Sequence, residues 1–220
     1  MRKYLYLAVA AASVAVLAAP VAAGAATASG SSVLTVSKAG GTAVKTKAVL
    51  KASLAKGTSA VFKTSLFSLT CKSASFSAKV TKNPKAKGTA TESLTTQAFS
   101  KCTVSLSGVT VKSIKVSNLP YNVSVRDSKG DPVAVTGTKK TKPVSTTVTV
   151  SFDGSSFACS YKIATLKGAA SNKTNSITFT KQSFSKTAGS SLCPSTASFT
   201  SAFGPVTDSS VKGNPKVFLN

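Results

Sequence analysis

The sequence predicts an all-β protein: a disulfide-stapled antiparallel β-sandwich or barrel-like fold with an internal two-fold repeat. Three observations carry this. Past the first twenty-five residues no segment sustains a 3.6-residue apolar period, whereas alternation with a period of two recurs. Four cysteines, an even number, lie in the exported part of the chain. One seven-residue pattern, T-x-Q-x-F-S-K, is written twice, in TTQAFSKC from Thr95 and TKQSFSKT from Thr180.

The first element is a leader. Met1-Arg2-Lys3 is basic, Leu5 to Ala19 is apolar, and Pro20 precedes an Ala23-Gly24-Ala25 cleavage signal. This is the plan of a secretory signal peptide. The run falls short of the ~20 apolar residues of a spanning helix. Cleavage is expected after Ala25, leaving 26–220 as one mature all-β domain without a transmembrane segment. With no Arg-Arg pair and no cysteine near the cut, general secretion and release are expected, with cell-wall association as a further possibility of location.

The strands follow in order. Leu119, Tyr121, Val123 and Val125 form an apolar stripe that runs into the polar turn Asp127 to Pro132. Val148, Val150 and Phe152 share one face. Asp153-Gly154-Ser155-Ser156 is a hairpin turn signal. Phe157, Cys159, Tyr161 and Ile163 share the face of the returning strand, and Phe199 and Phe203 lie on one more. Ser, Thr and Lys occupy the opposite faces. Thr and Val suit a pleated, half-buried surface, and Lys discourages edge-to-edge pairing.

The four cysteines pair within neighbouring segments in this reading, Cys71–Cys102 and Cys159–Cys193. An oxidising compartment favours disulfides over thiols. Zinc is a poor rival, because the chain has no His and no C-x-x-C spacing. Around each cysteine pair five landmarks recur in one order. The first set is Cys71, Lys87-Gly88, Ser93-Leu94-Thr95, Gln97-x-Phe99-Ser100-Lys101 and Cys102. The second is Cys159, Lys167-Gly168, Ser176-Ile177-Thr178, Gln182-x-Phe184-Ser185-Lys186 and Cys193. Two repeat-like units result, at about 58–106 and 144–204, too few for an open solenoid and so expected to pack as one body. Each Phe is expected to fill its unit's core beside the disulfide, and each Gln to bond to backbone. The functional rival is a pair of quasi-equivalent pockets.

The segments GTATESLTTQAFSKC, NLPYNVSV, NSITFTKQSFSK and SAFGPVTD, with the VFLN end, resemble a group of uncharacterised small secreted actinobacterial proteins. These are usually labelled only by their export signal, often as twin-arginine (Tat pathway) signal-sequence domain proteins. The resemblance runs from about Gly40 onward. It implies secretion and carries over no activity and no catalytic residues. The Arg2-Lys3 pair departs from the twin-arginine pattern.

Composition narrows the chemistry. The absence of His removes Ser-His-Asp and Cys-His catalysis and imidazole metal sites. One Glu (Glu92) and four Asp (Asp127, Asp131, Asp153, Asp208) leave few general acids or bases. Asp127 and Asp131 read as a solvated turn and Asp153 as a hairpin residue. Ser53-x-x-Lys56 and Ser183-x-x-Lys186 match a Ser/Lys dyad only by chance in so Ser- and Lys-rich a chain. No enzyme activity, cofactor or metal is expected.

Charge remains. Losing Arg2 and Lys3 lowers the basic count from 28 to 26 and the net charge from +23 to +21, with Arg126 the one arginine left. Lys is a hydrated point charge, whereas Arg is the fork that reads phosphate and base edges. No specific nucleic-acid readout is therefore expected. Lys79, Lys82, Lys85 and Lys87, then Lys139, Lys140 and Lys142, form clusters suited to anionic cell-envelope polymers; the bland reading is a solvated surface. The expected function is a non-enzymatic secreted protein associating with such polymers. The alternative is a binding module for a specific protein or small ligand, an inhibitor or carrier, which requires a concave apolar pocket with a few convergent polar groups.

Overall fold

The computed structural model of the protein describes residues 31–220; the leader read at 1–25 lies outside them. Sixteen strands follow one another. The first four are β1 (Leu34–Val36), β2 (Thr42–Ala43), β3 (Val49–Ser53) and β4 (Ala60–Lys63). Then come the long pair β5 (Ser68–Lys82) and β6 (Thr89–Val104), followed by β7 (Val109–Ser117), β8 (Tyr121–Arg126) and β9 (Pro132–Gly137). The remainder are β10 (Val144–Phe152), β11 (Ser155–Ile163), β12 (Thr165–Ser171), β13 (Ser176–Gly189), β14 (Thr196–Phe203), β15 (Thr207–Asp208) and β16 (Val217–Leu219).

Eight of them close an antiparallel barrel in the order β12-β9-β8-β6-β5-β4-β14-β13, with β13 returning to β12. Closure pairs the edges that an open sheet would leave exposed. Neither β5 nor β6 contains Gly or Pro, so each runs uninterrupted; Pro84 and Gly88 make the turn between them. That turn marks the lower end of the molecule. The start of β5 and the end of β6 mark the upper end.

The long strands serve two neighbours each. The lower part of β13 pairs with β12, and its upper part, Ser185 to Gly189, pairs with β11. From there β10 and β7 extend the sheet outward. β5 takes β4 on its upper part and β3 on its lower part, and β15 pairs with β3. The sheet β16-β1-β2 lies at the lower end. Asn83, in the β5–β6 turn, holds it there by accepting from Leu34 N and donating to the Leu34 and Val44 carbonyls. Gly137 ends β9 against the next loop; a Cβ there would lie 1.7 Å from the Lys142 carbonyl oxygen, so no side chain fits.

Both disulfides form as expected, Cys71–Cys102 across β5 and β6 and Cys159–Cys193 between β11 and the loop after β13. They suit an oxidising, extracellular compartment. No helix among the described residues is long and apolar enough to cross a membrane. The Leu119–Val125 stripe faces inward, with Leu119 half-buried, and Phe199 and Phe203 are buried. On β10, Val148 and Val150 face the core, but Phe152 on the same stripe is exposed. The stripe simply outruns the core at the turn. Asp153 and Gly154 both take positive φ, as a two-residue hairpin turn of the primed type requires.

The repeated motif has a structural cause. In β6, Ala90, Glu92 and Leu94 are buried, yet the next inward residues are Gln97 and Phe99. An extra residue, Thr95, sits between Leu94 and Thr96 where the pairing with β5 shifts. In β13, Phe179 is buried and the next core aromatic is Phe184, with Thr180 and Lys181 at a shift against β14. Both copies therefore begin at a β-bulge that re-aims the following residues inward. Phe99 and Phe184 then meet on the same two rings. Phe99 lies 5.7 Å from Phe62 and 6.1 Å from Phe199, and Phe184 lies 6.4 Å and 6.3 Å from the same pair. The Lys-Gly landmarks are not equivalent: Lys87-Gly88 closes a turn, whereas Lys167-Gly168 lies within β12.

Candidate functional site: the barrel interior

The aromatic layer does not fill the barrel. Beside it lies a cavity walled by Phe76, Leu94, Val123, Val135, Leu166 and Phe179, among others. It offers about 80 Å³ to the centres of water-sized atoms, against the ~10–15 Å³ that one water needs. Two polar side chains of β6, Glu92 and Gln97, line it.

Glu92 is placed by alternation. On the pleat it sits opposite Val80 of β5 and Val123 of β8, both buried. Burial alone pushes its carboxyl up from an ordinary 4.5 to about 7, with no charged group or hydrogen bond contributing. It also lines a second, smaller cavity of about 40 Å³, bounded below by Leu34, Val217 and Leu219 of the end sheet. Asn175 Oδ1, buried and without a partner, lines that second space.

The two glutamines of the repeat part company. Gln182 is satisfied, accepting from Lys167 N and donating to the Thr180 carbonyl, both at 2.9 Å. Gln97 Nε2 is buried with no partner. The expectation that each Gln bonds to backbone holds for one copy and fails for the other. A buried amide without a partner costs about 1–3 kcal/mol, so it invites one.

Tyr121 also lines the cavity, but its hydroxyl is committed. It donates to the Ser117 and Ser145 carbonyls and accepts from Ser145 N at 2.9 Å, tying β8 to β7 and β10. Burial pushes this phenol up, with the Ser145 backbone bond acting against that. Ser145 and Thr146 also line the cavity, but their hydroxyls donate to the Tyr161 and Lys115 carbonyls, so among the described residues the wall presents the Glu92 carboxyl and the Gln97 amide on a mainly apolar surface. Near pH 7 the carboxyl can either donate or accept.

The other residues singled out in the sequence lie elsewhere. Asp127 and Asp131 share the β8–β9 turn at the lower end, where Asp127 accepts from Lys87 N at 2.9 Å. Partial burial first, and the Asp127 charge second, push Asp131 up. The described residues contain no group of three or more His, Cys, Asp or Glu able to hold a metal. Lys186 Nζ donates to the Ser190 and Cys193 carbonyls, so its apparent dyad with Ser183 does not form. All seven clustered lysines are exposed. Lys79, Lys82, Lys85 and Lys87 belong to the lower β5–β6 hairpin end. Lys139, Lys140 and Lys142 occupy the β9–β10 loop, which leaves β9 at Gly137, level with Tyr121 in mid-barrel. The two clusters do not share one end.

Sequence reasoning passed over Glu92 as one of a few scattered acids. The signal was present as Ala90-x-Glu92-x-Leu94, a charge on an apolar stripe. No protein-family model, curated protein or solved structure matches the chain. The resemblance to small secreted actinobacterial proteins is therefore carried by the quoted motifs alone.

Proposed function

We propose that the protein is a secreted, non-enzymatic carrier that holds a small, largely apolar molecule with one polar head group inside its barrel. The observation behind this reading is an apolar cavity whose lining includes the unpaired Glu92 carboxyl and, further along β6, the unpartnered Gln97 amide. Apolar pockets with a few placed polar groups are the usual form of small-molecule sites. A head group that both donates and accepts, such as a hydroxyl, can pair with either side chain. NMR titration with 1-hexanol tests this: shifts are expected at Gln97 and the cavity wall in the native protein and not in Ala78→Leu, which fills the space. A folded native protein whose wall resonances do not move with 1-hexanol would refute it.

A second reading rests on the surface. Two of the five acids, Glu92 and Asp208, are buried, which leaves the exposed face more basic than composition implies. Electrostatic association with anionic envelope polymers follows, and such binding falls steeply with salt.

A further inference from the structure

We propose that the upper end of the molecule docks on anionic lipid bilayers through a crown of four apolar turn tips. Among the described residues five large apolar side chains are exposed: Leu66 (66 %), Leu192 (62 %), Phe152 (48 %), Leu106 (47 %) and Val211 (44 %). Single exposed apolar residues are ordinary. Four of these five, however, lie at one end: Leu66, Leu106 and Leu192 in the β4–β5, β6–β7 and β13–β14 connections, and Phe152 as the last residue of β10 before the β10–β11 turn.

The turns are neighbours. Ser68 N donates to Ser105 Oγ and Ser105 N to the Ser68 carbonyl, setting the Leu66 turn beside the Leu106 turn. Phe152 pairs with Val109, the first residue after the Leu106 turn. Lys63, just before the Leu66 turn, pairs with Ser198, just after the Leu192 loop. Tyr161 of β11 donates to the Pro194 carbonyl of that loop at 3.1 Å, which closes the circuit. Both disulfides lie at this end. Cys71–Cys102 crosses directly below the Leu66 and Leu106 turns, and Cys159–Cys193 fastens the Leu192 loop to β11. The tips are held out in fixed positions.

Apolar side chains on separate turn tips suit a bilayer, where each one enters between head groups. Charge supports an anionic one. Lys63, Lys72 and Lys101 stand exposed around the crown, and among the described residues Asp153 is the one acid there. Basic residues near an anionic surface add attraction that salt screens, while buried apolar area adds attraction that salt does not.

The chain contains no Trp, so Leu192→Trp supplies a single indole, excited apart from the tyrosines at the red edge of its absorption. With vesicles of phosphatidylcholine and phosphatidylglycerol at 7:3, its emission is expected to shift blue. Flotation of the otherwise native protein is expected to persist at 0.5 M NaCl. The triple variant Leu66→Ser/Leu106→Ser/Leu192→Ser is expected to lose affinity by about tenfold per tip, while Val211→Ser at the opposite end binds as native. Unshifted emission, or a triple variant that floats as well as native protein, overturns the proposal. So does a vesicle-independent dimer abolished by the triple variant, which would make a second copy the occupant.

Discussion

Replacing Glu92 by Gln removes the ionisable group that faces the barrel cavity unpaired while nearly preserving its shape. The unfolded carboxyl releases its proton near 4.5 and the folded one near 7. Between those values the unfolded chain has lost a proton that the folded chain still holds, so stability falls as pH rises through the window. Below about 4.5 both forms are neutral and the penalty vanishes; above about 7 it is complete. At 1.36 kcal/mol per pH unit the full penalty is about 3 kcal/mol. Gln does not ionise and carries none of it. Urea unfolding of both proteins at pH 4, 5, 6, 7 and 8, with disulfides intact, isolates the effect, because other titrations cancel in the difference. The variant should gain about 3 kcal/mol on the native protein between pH 4 and pH 8. A difference that stays constant with pH would show that Glu92 ionises as readily in the folded chain as in the unfolded one, and the account of an unpaired buried carboxyl would fall.

The two copies of the repeated motif should respond unequally to truncation. Phe184 is buried and Phe99 is half-buried, so Phe184→Ala should cost about 3–5 kcal/mol and Phe99→Ala clearly less; equal losses in denaturant titrations would contradict the different environments. Each disulfide closes a loop, with sequence separations of 31 and 34. Replacing either pair by Ala should therefore cost about 3–4 kcal/mol through the unfolded chain, read as a lower urea midpoint, and a change below about 1 kcal/mol would argue against that account.

Much of the fold was legible because its signals are local. Val148, Val150, Cys159 and Tyr161 alternate within single strands, and Asp153-Gly154 writes its own turn. The cysteine pairing was legible because each pair closes a short span of chain. The candidate site was not. Simple period-two counting from Leu94 points Gln97 outward, and only the extra residue at Thr95 turns it in. Bulges are set by the partner strand's register, which no stretch of β6 contains. Leu66, Leu106, Phe152 and Leu192 are equally unremarkable one by one. They become a crown only when the register brings their four turns to one end.

The sequence by itself therefore determined the all-β character, the disulfide partners and the strongly basic charge, since these depend on local periodicity, spacing and composition. Tertiary structure alone decided that eight strands close into a barrel and that Glu92 faces an unfilled interior. It also decided that Gln97 lacks the backbone partners its twin Gln182 found. Those outcomes rest on contacts between residues far apart in the chain, where closure and packing set the environment of each side chain.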